Sequence, residues 1–417
     1  MSVLALDIGS SSVRAQRFDH AAEPDGELRQ EKYDTNDARD VAQLVQRVLG
    51  GDEPEAVSCF GHSLIALDGN GMPLTPILGW RDTRSADAAE WLCRRLDAEA
   101  VHARTGGFLH PSFWPAKLAW LAQSEPDVFR DAARFVSFCD YALGNDVTST
   151  SIASGTGLLN LTTNDWDVEL LDALGLDADR LPHIGDVPVV IDGACSNLGA
   201  GCIGPTRAAL MIGTSGAVRV LYETERPQPK PGLFLYRLDP HRVVEGGALS
   251  DGGNLHHWLE QTLGDGGTAR QEHGLTFLPF LGGERSTGWD ADATGTIHGL
   301  TFETTPADIR QAALEGVGFR FAAILDLLPD VEEVVATGGA LFEDDEWVQV
   351  IADALARPVT RSAVEEASLR GAAVAVLDKP NDAPLGDTFH PREERAEAYR
   401  SARERQDRLY QVLRGEL

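Results

Sequence analysis

The stretch Leu4–Asp19, LALDIGSSSVRAQRFD, combines an apolar run, a short run of glycine and serine, and a second strand-like run. This order is typical of a β-hairpin with a tight turn that begins at Gly9. Such a turn exposes backbone N–H groups and small hydroxyl donors without bulky side chains, so it can hold phosphate oxygens. Glycine- and serine-rich hairpins are common and most of them bind nothing. One turn by itself therefore leaves both interpretations open.

A second stretch, Ala208–Glu223, repeats this pattern as AALMIGTSGAVRVLYE. Each copy opens a segment of domain size, so the pair predicts two related domains that flank a nucleotide and sugar cleft. The copies differ just before the turn, where the first has Asp7 and the second has Met211. This asymmetry fits a carboxylate that is associated with Mg²⁺ on one side only.

Bulk composition narrows the class of protein. The chain has 417 residues, more than one hydrophobic core usually supports, and 43% of them are hydrophobic. The net charge of -29 argues against a nucleic-acid partner or an acidic membrane surface. No glycine-lysine-serine/threonine sequence occurs, which excludes a P-loop kinase on motif grounds. An anionic ligand would need backbone N–H groups, local arginines or Mg²⁺.

The ends of the chain and its cysteines bear on its location. The N-terminal MSVLALDIGS has no basic region before its apolar run, and no run of about 18 apolar residues exists, so we expect no signal peptide, no membrane span and a cytoplasmic protein. Five scattered cysteines without zinc spacing predict reduced, buried thiols. The sequence does not decide the oligomeric state, and a homodimer stays open.

A lone carboxylate stands out in Val189–Gly201, VVIDGACSNLGAG. Asp192 follows two β-branched residues and precedes a run of small ones. It could cap the N-terminus of a helix, or it could be a catalytic base aimed into a cleft. The residues of this stretch alone favour the helix cap.

Further downstream, the spacing predicts an α/β alternation. Thr305, Pro306 and Asp308 form a helix start with an N-cap, an N1 proline and an acid at N3. In VEEVVATGGALFEDDEW a strand ends at Gly338 and Gly339, and a helix follows. This corner is either a nucleotide contact or a structural glycine turn.

Taken together, these blocks resemble the FGGY carbohydrate kinases of the actin-like, ribonuclease-H-like ATPase superfamily. LALDIGSSSVRA is similar to the first phosphate turn of that family and IGTSGAVR to the second, while GTIHGLTFETTPADIRQAALE resembles its C-terminal signature. The resemblance covers nearly the whole chain. It implies an α/β fold of two ribonuclease-H-like (actin-like ATPase) domains, 1–203 and 204–417.

The resemblance also implies the reaction and its residues. VIDGACSNLGAG is similar to a family block whose aspartate is the catalytic base, which makes Asp192 the expected base for transfer of the γ-phosphoryl group of MgATP to a sugar hydroxyl. Asp7 is the expected residue for Mg²⁺. Arg14 either contacts a phosphate or only lies on the hairpin. The expected nucleotide-binding residues are Asp7, Gly9, Ser10, Ser11, Ser12, Arg14, Gly213, Thr214, Ser215, Gly253, Gly338, Gly339 and Ala340.

Within the family, the N-terminal half is most similar to gluconate kinases, through GHSLIALDGNGMPLTPILGWRDTRS and SIASGTGLLNLTTNDWD. This similarity implies D-gluconate as the substrate and 6-phosphogluconate as the product. The sugar site is then expected at Gly61, His62, Trp80, Asp82 and Asp192. Arg81 or Arg84 is the candidate partner for the substrate carboxylate.

Two alternatives stay open. One is a kinase for xylulose or for another ketose or polyol. The other is an ATP-binding, sugar-sensing pseudokinase, because the chain is shorter than is usual for the family. The chain also departs from the family at Glu343, where a small polar residue is usual near the adenosine.

Overall fold

The computed structural model describes residues 2–264, 267–342, 344–378 and 380–415, so Glu343 lies outside the described residues. The chain divides into two compact units that are discontinuous in sequence. The first comprises 1–204, 221–245 and 366–383, and the second comprises 205–220, 246–365 and 384–417. The domain boundary at 203/204 stays a prediction, and the compact units differ from it in the segments 221–245 and 366–383.

Strands and helices alternate along both units. The strands are β1 Val3–Ile8, β2 Ser12–Phe18, β3 Arg29–Lys32, β4 Ala56–Cys59, β5 Ile65–Leu67, β6 Arg134–Val136, β7 Val147–Ser149, β8 Leu159–Asn160, β9 Asp165–Trp166, β10 His183–Gly185, β11 Val189–Ile191, β12 Gly204–Ile212, β13 Gly216–Glu223, β14 Phe234–Arg237, β15 Arg242–Leu249, β16 Thr276–Leu278, β17 Thr296–His298, β18 Glu333–Thr337, β19 Val359–Ser362 and β20 Leu385–Phe389. The helices are α1 Ala38–Leu49, α2 Ala86–Cys93, α3 Ala98–Thr105, α4 Trp114–Ser124, α5 Pro126–Asp131, α6 Phe138–Leu143, α7 Thr150–Gly155, α8 Val168–Leu174, α9 Asp192–Gly199, α10 Gly253–Leu263, α11 Pro306–Asp326, α12 Gly339–Phe342, α13 Asp345–Leu355, α14 Ala367–Val376 and α15 Ala396–Leu413.

The first sheet has five strands in the order β11-β4-β1-β2-β3. Strand β4 pairs in parallel with both β1 and β11, whereas β1 and β2 form the antiparallel hairpin that the sequence predicts. Residues 4–8 of β1 are all buried, as its apolar run indicates. Helix α14 packs on β1 and on α9, where Arg370 donates from Nη1 to the Gly199 carbonyl at 2.9 Å.

The second sheet has seven strands in the order β14-β15-β13-β12-β18-β19-β20. Strand β18 pairs in parallel with β12 and β19, and β19 pairs antiparallel with β20. Both sheets therefore begin with a hairpin whose first strand has a parallel neighbour. The repeat in the sequence corresponds to this shared arrangement.

Two local predictions are confirmed, the second only in part. Helix α11 has a capping box in which the Thr305 side chain accepts from the Asp308 N–H and the Asp308 side chain accepts from the Thr305 N–H. All five cysteines are free thiols and four of them are buried, as predicted, but Cys93 is exposed, so the prediction of burial is wrong for that residue.

Candidate active site

The parallel register of the first sheet brings three chain segments to one edge. Ile8 at the end of β1 is opposite Cys59 at the end of β4, and Cys59 is opposite Ile191 at the end of β11. The residues that follow these strands therefore lie at the same edge, where ligands bind in open α/β sheets. They include the first turn after β1, the Gly61–His62 pair after β4, and Asp192 after β11.

The first turn is compact and its tip is open. The Gly9 N–H donates to the Ser12 carbonyl at 2.9 Å, which leaves Ser10 and Ser11 exposed at the tip. Tyr33 fixes the turn from β3's side, because its hydroxyl donates to the Gly9 carbonyl at 2.5 Å and its N–H to the Ser11 carbonyl at 2.9 Å. The tip thus presents small donors on a rigid base, as phosphate binding requires.

Asp7 lies directly opposite Arg14 in the hairpin. The Arg14 Nη1 is 3.0 Å from Asp7 Oδ2, and its Nε is 3.3 Å from Glu366 Oε2. Burial raises the pKa of Asp7 even though Arg14 acts to lower it. Asp7 Oδ1 is buried and has no hydrogen-bond partner within the part of the chain that the structure describes. An unpartnered, buried carboxylate oxygen beside a phosphate turn fits a Mg²⁺ ion, directly or through water, since Mg²⁺ usually takes one or two carboxylates together with substrate phosphates.

Asp192 is the first residue of α9, and Ile191 occupies the N-cap position without a side-chain cap. The interpretation of Asp192 as the N-cap is therefore wrong, although the residue does begin the helix. Its half-buried carboxylate lies close to two buried thiols. Burial is the largest cause of the raised pKa of Cys59 and Cys195, and the charge of Asp192 raises both further. Asp7 also raises the pKa of Cys195, so the two carboxylates share a neighbourhood.

His62 is held in an unusual backbone conformation at this edge. Its φ is +65°, which is uncommon for a residue other than glycine. Its Nδ1 is 2.5 Å from the Gly155 carbonyl, and its own carbonyl accepts from Lys117 Nζ at 2.5 Å. A carbonyl only accepts, so Nδ1 carries the proton and a neutral ring has Nε2 as an acceptor. Gly61 is needed beside it because an added Cβ would lie 2.5 Å from Ile191 Cδ1.

Trp80 and Asp82 line a cleft of 270 Å³ in the first unit. Asp82 accepts from Arg84, with Nη2 2.5 Å from Oδ2. Burial acts to raise the pKa of Asp82, but Arg84 outweighs it and the pKa is lowered. The lining residues are Ser10, Tyr33, Thr35, Asn36, Phe60, Ile77, Gly79, Trp80, Arg81 and Asp82. The cleft thus joins the tip of the first turn to part of the predicted sugar site.

The second turn is held by backbone groups. The Gly213 N–H donates to the Ser215 carbonyl at 3.0 Å, the Gly253 N–H to the Gly213 carbonyl at 2.8 Å, and the Asn254 N–H to the Thr214 carbonyl at 3.0 Å. An added Cβ at Gly253 would lie 2.5 Å from the Gly213 carbonyl oxygen. The start of α10 therefore contacts the turn directly.

The corner between β18 and α12, at Gly338 and Gly339, lies beside the second turn and the start of α10. Gly338 has a φ of +93°, and an added Cβ there would lie 2.5 Å from the Ile212 carbonyl oxygen. An added Cβ at Gly253 would be 3.6 Å from the Ala340 Cβ. Gly339 is exposed and begins α12. The nucleotide-binding residues predicted in the second unit are thus brought together within that unit.

Sequence reasoning missed two supporting residues. Tyr33 directly follows the edge strand β3 and belongs to no local motif, so only the folded sheet reveals its contact with Gly9. Lys117 donates to the carbonyls of His62 and Ser112 although it is buried on an apolar helix. The signal in the sequence was a lysine inside the otherwise apolar stretch FWPAKLAWLA, which indicates a buried charge with a specific partner. Among the described residues, no group of three or more His, Cys, Asp or Glu could hold a metal ion by itself, and no helix is long and apolar enough to cross a membrane.

Comparisons with known proteins agree on one family. Residues 53–207 match the profile of the N-terminal domain of the FGGY family of carbohydrate kinases, and residues 208–377 match the profile of its C-terminal domain. A gluconokinase of Bacillus subtilis (strain 168) is 30% identical over 405 residues, covering 82% of this chain and 79% of the relative. A xylulose kinase of Streptomyces rubiginosus is 33% identical over 320 residues, covering 67% and 64%.

Solved structures share the fold. A ligand-bound xylulose kinase from Lactobacillus acidophilus matches with a TM-score of 0.88 and a gluconate kinase from the same organism with 0.87. Each is 24% identical, and each match covers 99% of this chain and 98% of the other. The predicted α/β fold of two actin-like ATPase domains is confirmed. On these profiles and relatives, the chain belongs to the FGGY family of carbohydrate kinases, phosphotransferases that use ATP to phosphorylate a small sugar substrate.

Proposed function

We propose that this kinase transfers the γ-phosphoryl group of ATP to D-gluconate and forms 6-phosphogluconate. The observation that carries the proposal is the shared edge of the first sheet, where the phosphate turn, His62 and Asp192 follow three strands in register. The gluconokinases among the relatives support the choice of substrate. Phosphoryl transfer depends mainly on positioning and electrostatics, which such an edge supplies.

Asp192 is the proposed general base. Its carboxylate, in the first turn of α9, accepts the proton of the attacking hydroxyl as the oxygen bonds to the γ-phosphorus. The helix N-terminus stabilises the negative charge of this residue before transfer. His62 Nε2 is the proposed acceptor for a neighbouring substrate hydroxyl, because its Nδ1 already donates to Gly155.

Nucleotide-binding groups are proposed at the turn of each unit, taken by itself. The backbone and hydroxyl groups of Ser10 and Ser11 bind phosphate oxygens in the first unit. In the second unit, Thr214 and Ser215 do the same, and Gly253 with Gly338–Ala340 lies beside the rest of the nucleotide. Asp7 would hold the Mg²⁺ of MgATP, which would supply positive charge beside the phosphates. Arg14 keeps Asp7 oriented through the hairpin pair.

The second candidate is a xylulose kinase. The relative from Streptomyces rubiginosus, named xylulose kinase, has the higher identity of the two relatives described above, although it covers less of the chain. A ketose would use the same base and the same turns, because the reacting group is a hydroxyl in both cases. The two candidates therefore differ only in what binds the rest of the substrate.

A coupled ADP-release assay decides between them. The purified chain is supplied with MgATP and, separately, with D-gluconate, D-xylulose, glycerol and D-ribulose. We expect the highest kcat/KM with gluconate. A higher kcat/KM with xylulose would establish the alternative, and ATP binding without turnover on a wider panel of sugars would indicate a sugar-sensing protein instead.

A further inference from the structure

The cleft lined by Trp80 and Asp82 is also lined by Arg81, whose guanidinium has no acidic partner among the described residues. Arg81 lines the cleft, and its Cζ lies 4.8 Å from the centre of the Trp80 ring. Burial lowers the pKa of Arg81, and no carboxylate acts to raise it. Within the described ranges, Arg81 forms no ion pair. An exposed cation that is stacked on an indole and lines a cleft is arranged to receive an anion.

Arg84 cannot play this part. It donates to Asp82 from both Nε and Nη2, and its Cζ lies 4.8 Å from the centre of the Trp120 ring. The charge of Arg84 is therefore already neutralised by Asp82. Sequence reasoning left Arg81 and Arg84 as equal candidates, and their contacts distinguish them.

The overall charge makes this local cation more important. A chain with a net charge of -29 repels anions at long range, so an acidic substrate needs a local positive group. A neutral ketose or polyol needs none. Thr35 and Asn36 supply neutral polar groups that suit hydroxyls rather than a carboxylate, and the acid of the cleft, Asp82, is already paired with Arg84.

We propose that Arg81 binds the carboxylate of the substrate, and that it makes the enzyme selective for polyhydroxy carboxylates (aldonic acids) over neutral ketoses and polyols. The inference rests on the proposed function for the reaction and its sugar site. It extends that function from one sugar acid to a substrate class with an assigned specificity-determining residue. The guanidinium, held against Trp80, presents two parallel N–H donors to the two carboxylate oxygens.

The test compares substrates that share the hydroxyl pattern of C2 to C6 and differ at C1. D-Gluconate has a charged carboxylate there, D-gluconamide a neutral amide and D-glucitol a hydroxyl, while D-xylonate is a second, five-carbon acid. We expect Arg81→Gln to lower kcat/KM for gluconate by about 10- to 100-fold, mainly through KM, because a hydrogen bond to a charged group is lost. The value for glucitol should change less than about twofold, and that for gluconamide less than that for gluconate, since neither neutral compound forms an ion pair with the guanidinium. Arg81→Lys should recover part of the loss because lysine restores the positive charge but not the two parallel N–H donors of the guanidinium.

Arg95 offers a matched control. Its Cζ lies 4.6 Å from the centre of the Trp91 ring, so it is also an arginine stacked on tryptophan, but it lies outside the cleft. Arg95→Gln should leave kcat/KM for all four substrates unchanged. The loss in Arg81→Gln should also shrink as salt rises, because exposed charges are screened.

The outcomes separate the two proposals. If the wild type phosphorylates gluconate and Arg81→Gln loses gluconate and gluconamide activity equally, the role of Arg81 is overturned while the proposed function stands. If the wild type prefers xylonate to gluconate and Arg81→Gln loses that preference for acids, gluconate is the wrong substrate and the role of Arg81 stands. A wild type that prefers glucitol or xylulose overturns both.

Discussion

The two glycine-rich turns look alike in sequence but are supported differently. Side chains support the first turn, since Tyr33 donates to the Gly9 carbonyl and Arg14 pairs with Asp7. Backbone groups support the second, since the Gly253 N–H donates to the Gly213 carbonyl and Met211 replaces the acid. A turn supported by side chains can carry charge, whereas a turn supported by the start of a helix offers only donors and space.

The acid near each turn also differs in its surroundings. Asp7 has a charged partner, and one of its oxygens remains unpartnered. Asp251 lies close to the second turn, just before α10, and is 1% exposed with Oδ2 unpartnered. Burial raises the pKa of Asp251 to about 7, against the opposing effect of backbone hydrogen bonds. We infer that the first unit supplies the reacting charges and the second unit mainly holds the nucleotide.

Asp192→Asn tests the largest expected effect. We expect kcat to fall by about 10²- to 10⁴-fold because the proton acceptor is lost, while the Kd for ATP stays within severalfold. Stopped-flow or coupled kinetics and calorimetry with ATP measure the two quantities. Asp186→Asn, at an exposed acid just before β11, is the control and should keep full activity. If Asp192→Asn retained most of its kcat, the first unit would not supply the base.

Asp251→Asn tests whether the acid beside the second turn is protonated in the folded protein. The raised pKa of Asp251 means that the folded state favours the protonated acid, so its contribution to stability is complete below about pH 4 and is lost as pH rises through about 7. The free energy of unfolding of Asp251→Asn minus that of the wild type should increase between pH 4 and pH 8 by on the order of 3 kcal/mol. Urea unfolding at several pH values measures it. The exposed control Asp330→Asn should show a constant difference, and so would Asp251→Asn if the acid were ionised at both pH values.

Gly338→Ala tests the close contact in the second unit. A Cβ would lie 2.5 Å from the Ile212 carbonyl oxygen at a φ of +93°, so we expect a loss of about 1–3 kcal/mol in the free energy of unfolding and a higher KM for ATP. Gly339→Ala is the neighbouring control for stability because no atom of the described residues lies within 4 Å of its added Cβ. Thermal denaturation and ATP titration measure the pair. Equal stability of the two variants would contradict the contact.

Tyr33→Phe tests the smallest effect, on the first turn. Removing the hydroxyl that donates to Gly9 should cost about 1 kcal/mol of stability and raise KM for ATP by a few-fold, with kcat nearly unchanged. Steady-state kinetics and thermal denaturation measure both. Tyr141→Phe, at a partly buried tyrosine of α6, serves as the control. An unchanged KM in Tyr33→Phe would mean that the turn keeps its shape without this bond.

Much of the fold was readable in the sequence because its signals are local. The apolar run of β1, the two turns, the capping box at Thr305 and the glycine corner at Gly338 each depend on neighbouring residues. The family resemblance then joined these elements into two domains. Asp192 shows the limit of local reading, since the stretch itself favoured a cap and the helix in fact begins one residue after Ile191.

The sequence by itself therefore determined the α/β class, the paired turns and the family, because propensity, periodicity and motif order act over short distances. Only the tertiary structure decided that Ile8, Cys59 and Ile191 end in register, and that Tyr33 supports the first turn. It also decided that Arg84 pairs with Asp82, whereas Arg81 forms no ion pair with any described residue. These facts depend on burial and on contacts between residues far apart in the chain, and no local pattern encodes which partners a charged side chain will meet.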